Sequence, residues 1–475
     1  MTSYESPLSC RYASSEMKTL FSPQYKYQTW RRLWIALAEA EQELGIAISD
    51  AQIAELKAHL DDIDFAAVRR YEKLNRHEVM AHIQAYGDLC PLAKGIIHLG
   101  ATSAYVMDNA DLIQMKAALR LIEGKLLTSI VSLRSFALRT CNTPCLSFTH
   151  FQPAQPTTVG KRATLWLQDF VTDFQDLQHL AESFPFLGVK GATGSQASYM
   201  TLFGKDQAKV IALDEKVTAK MGFTKTFFVS GQTFPRKQEM RVLNVLASIA
   251  ASVHKCATDL RLLSHLHEVE EPFKDTQIGS SAMPYKKNPI MAERACALAR
   301  FILSLWNNPA YTASLQWLER SLDDSANRRI AIPEAFLATD SILILIGTLI
   351  EGLTVFPKMT QAHLDRELPY LAMEPILALA TLKGQQRGKV HERLRQHART
   401  AKKQLQEGTG PINLLQRISA DPEINLSENE LENLFKRENF TGRSQEQVKI
   451  FLKKEVDPLL SNYALRAKKL PTVDV

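Results

Sequence analysis

The chain has 475 residues, of which 45% are apolar and 23% charged, and this length and balance predict two or three domains around a large core. Its net charge of +6 is spread along the chain without a basic stripe, so no nucleic-acid partner is expected. The six cysteines form no CxxC pair and residues 1–10 carry no secretory signal, which predicts free thiols and a cytoplasmic location.

Helical patterns run along the whole chain, and strand alternation is nearly absent. In the first part, apolar positions recur at helical spacing in four segments. These are residues 26–44, 50–59, 65–73 and 77–86. Gly45 and Gly87 follow the first and the last of them, and each is predicted to end its helix.

The middle of the chain carries longer helical patterns. They cover residues 106–143, 159–184, 236–271, 289–307 and 333–356. A run of about 35 residues would form a helix about 50 Å long, and helices of that length need partners along their sides. A bundle of five long helices is therefore predicted, with an apolar surface wide enough for subunit association.

After Pro357 the segments become shorter and more charged. We therefore predict an all-α fold with three domains around a central bundle of long helices. The domains are residues 1–103, 104–356 and 357–475. The most apolar window, residues 341–350, is about half a membrane span, so it is predicted to be a buried helix and no membrane partner is expected.

One polar segment between two predicted long helices has the composition of a reactive site. Residues 279–289 contain a glycine and two prolines, which break the helical period. Ser280 and Ser281 follow the glycine, so backbone N–H groups can turn toward a hydroxyl. Lys286 supplies a positive charge and Asn288 both a donor and an acceptor. Such a set suits a substrate that carries carboxylates.

The end of this segment also has a structural interpretation. Asn288 followed by Pro289 has the form of a helix N-cap and a first helical residue. This interpretation is accepted for these two residues, but it leaves the Gly-Ser-Ser run and Lys286 unexplained.

Three segments that contain histidine are further candidates. Residues 98–103 place two hydroxyls after a glycine at a helix start, which suits either an anion or an ordinary Ser N-cap. Residues 149–158 set His150 in a donor-rich irregular loop, although a lone histidine is more often structural. His77 begins a helix beside Glu78, which can hold its tautomer and raise its pKa; a solvated helix start is the alternative.

Two arginine-containing segments suit a doubly charged phosphate, because guanidinium groups make forked, charge-assisted bonds. They are residues 11–14 and 318–329, and a single arginine is more often simply solvated. The glycine-rich run 189–196 lacks the spacing of a nucleotide-binding loop. No Cys or His spacing fits zinc, so neither a metal nor a cofactor is expected.

These motifs, in this order, resemble the fumarase/aspartase superfamily of lyases. The signature residues are Gly279, Ser280, Met283, Lys286 and Asn288. The most similar branch eliminates fumarate from the succinylated purine nucleotides adenylosuccinate and succinyl-aminoimidazole-carboxamide ribotide, and Lys287 replaces the arginine of many members. The resemblance implies a fumarase/aspartase-like fold and a cytoplasmic homotetramer with active sites shared between subunits.

The resemblance also implies roles for the matching residues. Ser280 would act as general base and His150 as general acid, while Lys286 would stabilise the developing negative charge. Glu293 and His77 would support them. The implied substrate-binding residues are Arg11, Tyr12, Arg76, Thr102, Ser103, Gln155, Thr157, Thr158, Gln232, Ser281, Met283, Asn288, Arg320, Ser325 and Arg329.

A serine hydroxyl is a poor base at neutral pH, so its chemistry needs help from the loop. We expect residues 277–287 to be mobile and to close on the substrate, bringing Lys286 and backbone N–H groups to the Ser280 oxygen. The nearest alternative function is another lyase of the superfamily, acting on argininosuccinate, aspartate or malate. A non-catalytic homologue and a nucleic-acid-binding helical scaffold are the others.

Overall fold

The computed structural model describes residues 3–408, 414–434 and 440–471, and helices dominate these ranges. The all-α fold predicted from the sequence is confirmed. Two small antiparallel sheets interrupt the helices. They are formed by β1 (Pro144–Thr149) with β2 (Gln152–Thr158), and by β3 (Val269–Glu270) with β4 (Thr354–Val355).

The first part of the chain forms a π-helical turn and five helices, of which α2 is the longest. Polar caps begin several of them: the Ser22 hydroxyl accepts the Tyr25 N–H, and Ser49 forms a capping box with Gln52. Gly45 ends the second helix as predicted. The elements are the turn Leu8–Tyr12, α1 (Ser15–Leu20), α2 (Pro23–Glu43), α3 (Asp50–Ala58), α4 (Phe65–Asn75) and α5 (Glu78–Leu89).

Five long helices form the central bundle. They are α6 (Ser103–Arg139), α7 (Val159–Glu182), α10 (Lys237–His265), α11 (Ile290–Leu305) and α13 (Asp324–Glu351). Helix α6 packs on α7 and α13, and α10 packs on α7, α11 and α13. The shorter helices among them are α8 (Ala197–Leu202), α9 (Gln207–Lys220) and α12 (Asn308–Ser314).

The five long helices alternate in direction, so the bundle has two distinct ends. Helices α6, α10 and α13 begin at one end, which we call the Ser103 end. Helices α7 and α11 begin at the other, the hairpin end, where β1 and β2 connect α6 to α7. The 29 residues of α10 separate the two ends by about 43 Å, at about 1.5 Å per residue.

Buried ion pairs join α6, α10 and α13 at the Ser103 end. Arg236, just before α10, bonds Asp108 of α6 (Nη1 to Oδ2, 3.0 Å) and Asp324 of α13 (Nε to Oδ2, 2.7 Å). Arg328 of α13 bonds Glu239 of α10 (Nε to Oε1, 2.5 Å). Because a buried charge without its partner is strongly unfavourable, these pairs fix the relative positions of the three helices.

Another buried cluster lies midway along the bundle. Lys125 of α6 donates to Asp340 of α13 and to the Ser14 hydroxyl (2.8 Å), and the Ser14 N–H donates to Asp340 Oδ2 (2.7 Å). This cluster attaches the N-terminal segment to α6 and α13.

The C-terminal part has an apolar core of its own, in which Ile376, Val390 and Leu414 are buried. Its helices are α14 (Pro357–Leu371), α15 (Met373–Leu382), α16 (Arg387–Glu407), α17 (Leu414–Ser419) and α18 (Glu428–Leu434). The chain then returns to the bundle through α19 (Ser444–Phe451), the π-helical turn Leu452–Val456 and α20 (Asp457–Tyr463).

The predicted domain division stays a prediction, and the packing departs from it at both ends of the chain. Trp30 and Trp34 of α2 belong to the same apolar cluster as the bundle, and so do Val448 and Leu459 near the C-terminus. The bundle core thus includes residues from all three predicted domains.

The structure corrects several helix boundaries. Gly87 lies inside α5, and the pattern over residues 236–271 stops being helical after His265. Pro333 lies inside α13, which begins at Asp324. A proline there removes one helical hydrogen bond, but the buried ion pairs at the start of α13 stabilise the turns before it.

The start of α11 also differs from the prediction. Asn288 is not its N-cap, because Pro289 occupies that position. The Glu271 carboxylate instead accepts the N–H groups of Met291 (2.9 Å) and Ala292 (2.7 Å). These two donors of the first helical turn therefore find their acceptor in a residue that comes much earlier in the sequence.

Among the described residues, α13 is long and apolar enough to cross a membrane by length and composition alone. Of its most apolar window, 83% is buried inside the protein. This burial agrees with the predicted core helix over residues 341–350.

We expect Lys125→Met to destabilise the protein strongly, because it leaves Asp340 buried without its cation. Breaking a buried pair in this way typically costs about 3 to 5 kcal/mol. The midpoint of urea unfolding measures the loss. The control Lys94→Met breaks an exposed pair with Asp88 and should cost less than about 1 kcal/mol. Equal midpoints for the two variants would contradict this role of the buried cluster.

Candidate active site

The turn at residues 98–103 brings a serine to a histidine at the Ser103 end. His77, the N-cap of α5, accepts the Met80 N–H through Nδ1 (3.2 Å), and its Nε2 lies 3.3 Å from the Ser103 hydroxyl. Thr102 is the N-cap of α6, but its hydroxyl makes no capping bond. Ordinary helix capping by these hydroxyls, the structural alternative for the segment, is therefore not observed.

The same turn is held by α2 and α8. Trp34 Nε1 donates to His98 Nδ1 at 2.9 Å, and burial lowers the pKa of His98 to about 4, so the imidazole is neutral near pH 7. Gly100 has φ 66°, and a Cβ there would lie 2.8 Å from the Tyr199 ring. Only glycine fits this close approach in a left-handed conformation.

The glycine-rich run 189–196 lies beside Gln232. Gly194 has φ 81° and faces the backbone carbonyls of residues 230–231, where a Cβ would clash. The Gln232 N–H donates to the Glu319 carbonyl (3.1 Å), which joins this run to the second arginine-containing segment.

Arg329, in the second turn of α13, reaches the start of α5. Its Nη2 donates to Glu78 Oε2 at 2.5 Å, and Glu78 Oε1 accepts Lys26 Nζ (2.9 Å) and the Tyr27 hydroxyl (3.0 Å). Burial raises the pKa of Glu78, but the charges of Lys26 and Arg329 outweigh it and lower that pKa to about 2. Glu78 thus pairs with these cations rather than holding the His77 imidazole as expected.

Arg320 and Ser325 also lie at the Ser103 end. Arg320 Nη1 donates to Asp324 Oδ1 (2.8 Å), the carboxylate that Arg236 holds from the other side. Burial raises the pKa of Asp324, but the neighbouring guanidinium groups lower it below its usual value. Arg76 ends α4 nearby in sequence, exposed and with φ 53°.

Residues 271–289 form a loop at the hairpin end, between β3 and α11. The Ser280 hydroxyl oxygen accepts the N–H groups of Met283 (3.1 Å) and Ala282 (3.4 Å), as the Gly-Ser-Ser pattern predicts. Donors that already point at this oxygen would stabilise negative charge on it. Ser281 beside it is exposed. The mobility of the loop stays a prediction.

The two ends of this loop are tied together. Asn288 Nδ2 donates to the Gly279 carbonyl (2.9 Å), and Gly279 lies so close to the Lys286 carbonyl that a Cβ would clash. Lys287 pairs with Glu270 (2.7 Å). Lys286, unlike Lys287, has no ionic partner within the described part of the chain, so its charge is available to an anion.

Glu293 and the first arginine-containing segment lie beside the start of α11. Glu293 Oε1 is 4.0 Å from Arg261 Nη2 and half exposed. The next residue, Arg294, packs over the Tyr12 ring at 5.5 Å, and Arg11 lies 5.9 Å from the same ring. These aromatic and guanidinium groups line one pocket.

His150 and Phe151 form the two-residue turn between β1 and β2. Both have left-handed backbones, with φ 52° and 56°. Non-glycine residues in that conformation cost roughly 1 to 2 kcal/mol each, and such strain concentrates at functional sites. The hairpin corrects the expectation of an irregular loop and exposes His150 at its tip.

Three other predicted residues lie on β2. The Gln155 amide donates to Glu374 of α15, and Thr157 Oγ1 is 3.5 Å from Ser444 Oγ. Thr158 is buried and caps α7 by accepting the Lys161 N–H at 3.1 Å. The Thr158 hydroxyl thus has a structural task, whereas the other two face the C-terminal part.

The predicted residues therefore form two groups at opposite ends of the bundle. The Ser103-end group is Arg76, His77, Thr102, Ser103, Gln232, Arg320, Ser325 and Arg329. The hairpin-end group is His150, Gln155, Thr157, Thr158, Ser280, Ser281, Met283, Lys286, Asn288 and Glu293. Arg11 and Tyr12 lie between the two groups, next to the midway cluster of Ser14 and within reach of Arg294. A single chain holds the groups about 43 Å apart, the length of α10.

Each group adjoins a cavity whose lining includes cationic side chains. One cavity is lined by Lys26 and Arg329 at the Ser103 end, and another by Lys286, Asn288 and His265 at the hairpin end. Carboxylates line them as well, Asp111 and Glu239 in the first and Glu270 and Glu271 in the second, so it is the unpaired Lys286 that suits the second cavity to an anionic ligand. Across the described ranges, no cluster of three or more His, Cys, Asp and Glu side chains is placed to hold a metal ion.

Sequence reasoning missed the carboxylates that hold these groups in place. Glu78 pairs with Arg329 across 251 residues, Asp324 with Arg236 across 88, and Glu271 accepts the Ala292 N–H across 21. The one local signal was the position of Glu78 beside His77, and it suggested the wrong partner.

Two family models match the sequence. The model described as Lyase matches residues 33–303, and the model described as Adenylosuccinate lyase C-terminus matches residues 370–451.

Known proteins match over nearly the whole chain. Adenylosuccinate lyase of Schizosaccharomyces pombe is 47% identical, covering 97% of this chain and 96% of its own length, and that of Saccharomyces cerevisiae is 45% identical with the same coverage. The crystal structure of 3-carboxy-cis,cis-muconate lactonizing enzyme from Pseudomonas putida shares the fold, with a TM-score of 0.82, 24% identity and coverage of 94% of this chain and 98% of that one. This chain belongs to the adenylosuccinate lyase family.

Proposed function

We propose that this chain eliminates fumarate from adenylosuccinate, giving AMP, and from succinyl-aminoimidazole-carboxamide ribotide, giving the carboxamide ribotide. Its similarity to adenylosuccinate lyases over nearly its full length supports this reaction. The observation that carries the chemistry is the Ser280 hydroxyl, which accepts two backbone N–H groups in a loop that also bears Lys286.

The reaction removes a weakly acidic C–H proton beside a carboxylate and then expels a nitrogen. A base must take the proton, cations must stabilise the resulting dianionic carboxylate, and an acid must protonate the leaving nitrogen. We assign the base to Ser280, the acid to His150 and the stabilising charge to Lys286. The two N–H groups at the Ser280 oxygen favour its alkoxide form over the neutral hydroxyl. The alkoxide is the form that can take the proton.

The assembled enzyme is proposed to be a cytoplasmic homotetramer with sites shared between subunits. The separation of about 43 Å between the two groups supports sharing, because α10 is a rigid helix that cannot shorten. A second chain that places its hairpin end against the first chain's Ser103 end would bring both groups into one pocket. His77, Ser103 and Arg329 would then face Ser280 and Lys286 from a neighbour.

The direct test of the reaction is an absorbance assay of adenylosuccinate loss with the purified protein. Equimolar appearance of AMP and fumarate is expected. Stable adenylosuccinate, with turnover of argininosuccinate instead, would identify the alternative lyase function; no turnover of either would point to a non-catalytic homologue.

Ser280→Ala should lower kcat by roughly 10² to 10⁴, the usual contribution of a general base, because no other group in the loop replaces the hydroxyl. Steady-state kinetics and the affinity for AMP measure the effect, and AMP affinity should stay within a few-fold.

The matched control is Thr276→Ala, which removes an exposed hydroxyl from the same loop and should leave kcat near wild type. A Ser280→Ala enzyme with near-normal kcat would contradict the assignment and transfer the base role, most simply to Ser281.

Mixing inactive His77→Ala and Ser280→Ala proteins should restore activity after subunit exchange. The substitutions lie at opposite bundle ends, so in a mixed tetramer some sites combine an intact His77 from one chain with an intact Ser280 from another. Random mixing of equal amounts predicts about a quarter of wild-type activity. The mixture of His150→Ala with Ser280→Ala tests in the same way whether acid and base come from different chains.

The control mixture is Ser280→Ala with Lys286→Ala, which lie in one loop of one chain and should show no recovery. Failure of the His77 and Ser280 mixture, with exchange verified by mass spectrometry of tagged subunits, would contradict shared sites.

A further inference from the structure

The last described residues form a strap across the bundle. A 3₁₀ turn, Ala464–Arg466, follows α20, and the chain continues to Pro471 along α6 and α13. We call residues 464–471 the strap. The family model of the C-terminal part ends at residue 451, before the strap begins.

Two glycines inside long helices make room for the strap. Gly124 of α6 lies beneath it, and a Cβ there would be 2.5 Å from Lys468 Cγ and 2.9 Å from the Arg466 carbonyl oxygen. Gly347 of α13 faces Leu470, where a Cβ would also clash. Glycine inside a helix is destabilising relative to alanine, so the close approach of the strap gives both glycines a physical reason.

Directional bonds also hold the strap. The Lys468 N–H donates to the Gly124 carbonyl (3.1 Å), and the Thr128 hydroxyl donates to the Lys468 carbonyl (2.7 Å). Arg466 Nη1 pairs with Glu123 Oε1 at 2.9 Å. Hydrogen bonds to its backbone and one ion pair therefore hold the strap on α6, in addition to apolar contacts.

The strap ends at the pocket of the first arginine-containing segment. Pro471 lines this pocket together with Arg11, Tyr12, Arg294 and Ile344. The Lys125–Asp340–Ser14 cluster holds the other side of that segment, so the segment lies between a buried ionic anchor and the end of the strap.

We propose that seating of the strap positions Arg11 and Tyr12 to hold the substrate nucleotide. The proposal rests on the proposed function, and on the family resemblance that implies a substrate-binding role for these two residues. The strap also carries Lys468 and Lys469, both exposed, whose charge raises the positive potential near an anion. Strap residues are positioning residues, because they act through Arg11 and Tyr12.

The test compares a chain that ends after Tyr463, and the full-length Leu470→Asp variant, with wild type. The KM for adenylosuccinate should rise about tenfold in both while kcat stays within about twofold, a shift typical of energetic coupling between sites. Two controls should keep wild-type KM. They are a chain that ends after Pro471, which retains the strap, and Leu470→Met, which conserves side-chain volume.

A second readout does not depend on catalysis. AMP should slow trypsin cleavage after Lys468 and Lys469 in the wild-type protein, because a seated strap and a bound nucleotide favour each other. Unchanged KM in both strap variants, or a fall in kcat and melting temperature without a KM change, would overturn the proposal. A wild-type protein that leaves adenylosuccinate intact would instead refute the proposed function.

Discussion

The rigid length of the bundle helices is the constraint on which the rest of the structure depends. A helix rises about 1.5 Å per residue and cannot be compressed, so α10 keeps its two ends about 43 Å apart. Most of the predicted site residues lie at those ends, in exposed turns and loops and in the first turns of helices, where a rigid core can position them. Within one chain the bundle therefore keeps the two groups of predicted site residues apart.

Buried ion pairs fix the positions of the bundle helices relative to one another, and they also orient predicted site residues. Arg236 holds Asp324, and Asp324 in turn orients Arg320. Glu78 does the same for Arg329. Because each buried carboxylate needs its cation, a shift of one helix would break several pairs at once. The same charges that stabilise the fold thus also position Arg320 and Arg329, which are predicted to bind the substrate phosphate.

Much of the fold could be predicted from the sequence because its signals are local. The five long helices follow from apolar spacing, and the loop that carries Ser280 follows from its glycine and prolines. The boundaries at Pro333 and Asn288 could not be predicted, because the ion pairs of α13 and the Glu271 carboxylate act from elsewhere in the sequence. The His150 hairpin was missed because its turn lacks the usual glycine or asparagine.

The length of the helix between the two groups was predicted from the sequence, but which motifs gather at each of its ends was not, since motifs give order along the chain and not position in space. The most direct measurement of the central claim is a crystal structure of the Ser280→Ala enzyme with adenylosuccinate bound. We expect the nucleotide to contact Ser103 and His77 of one chain and Ser281 and Lys286 of another. A substrate whose protein contacts all come from a single chain would contradict this account.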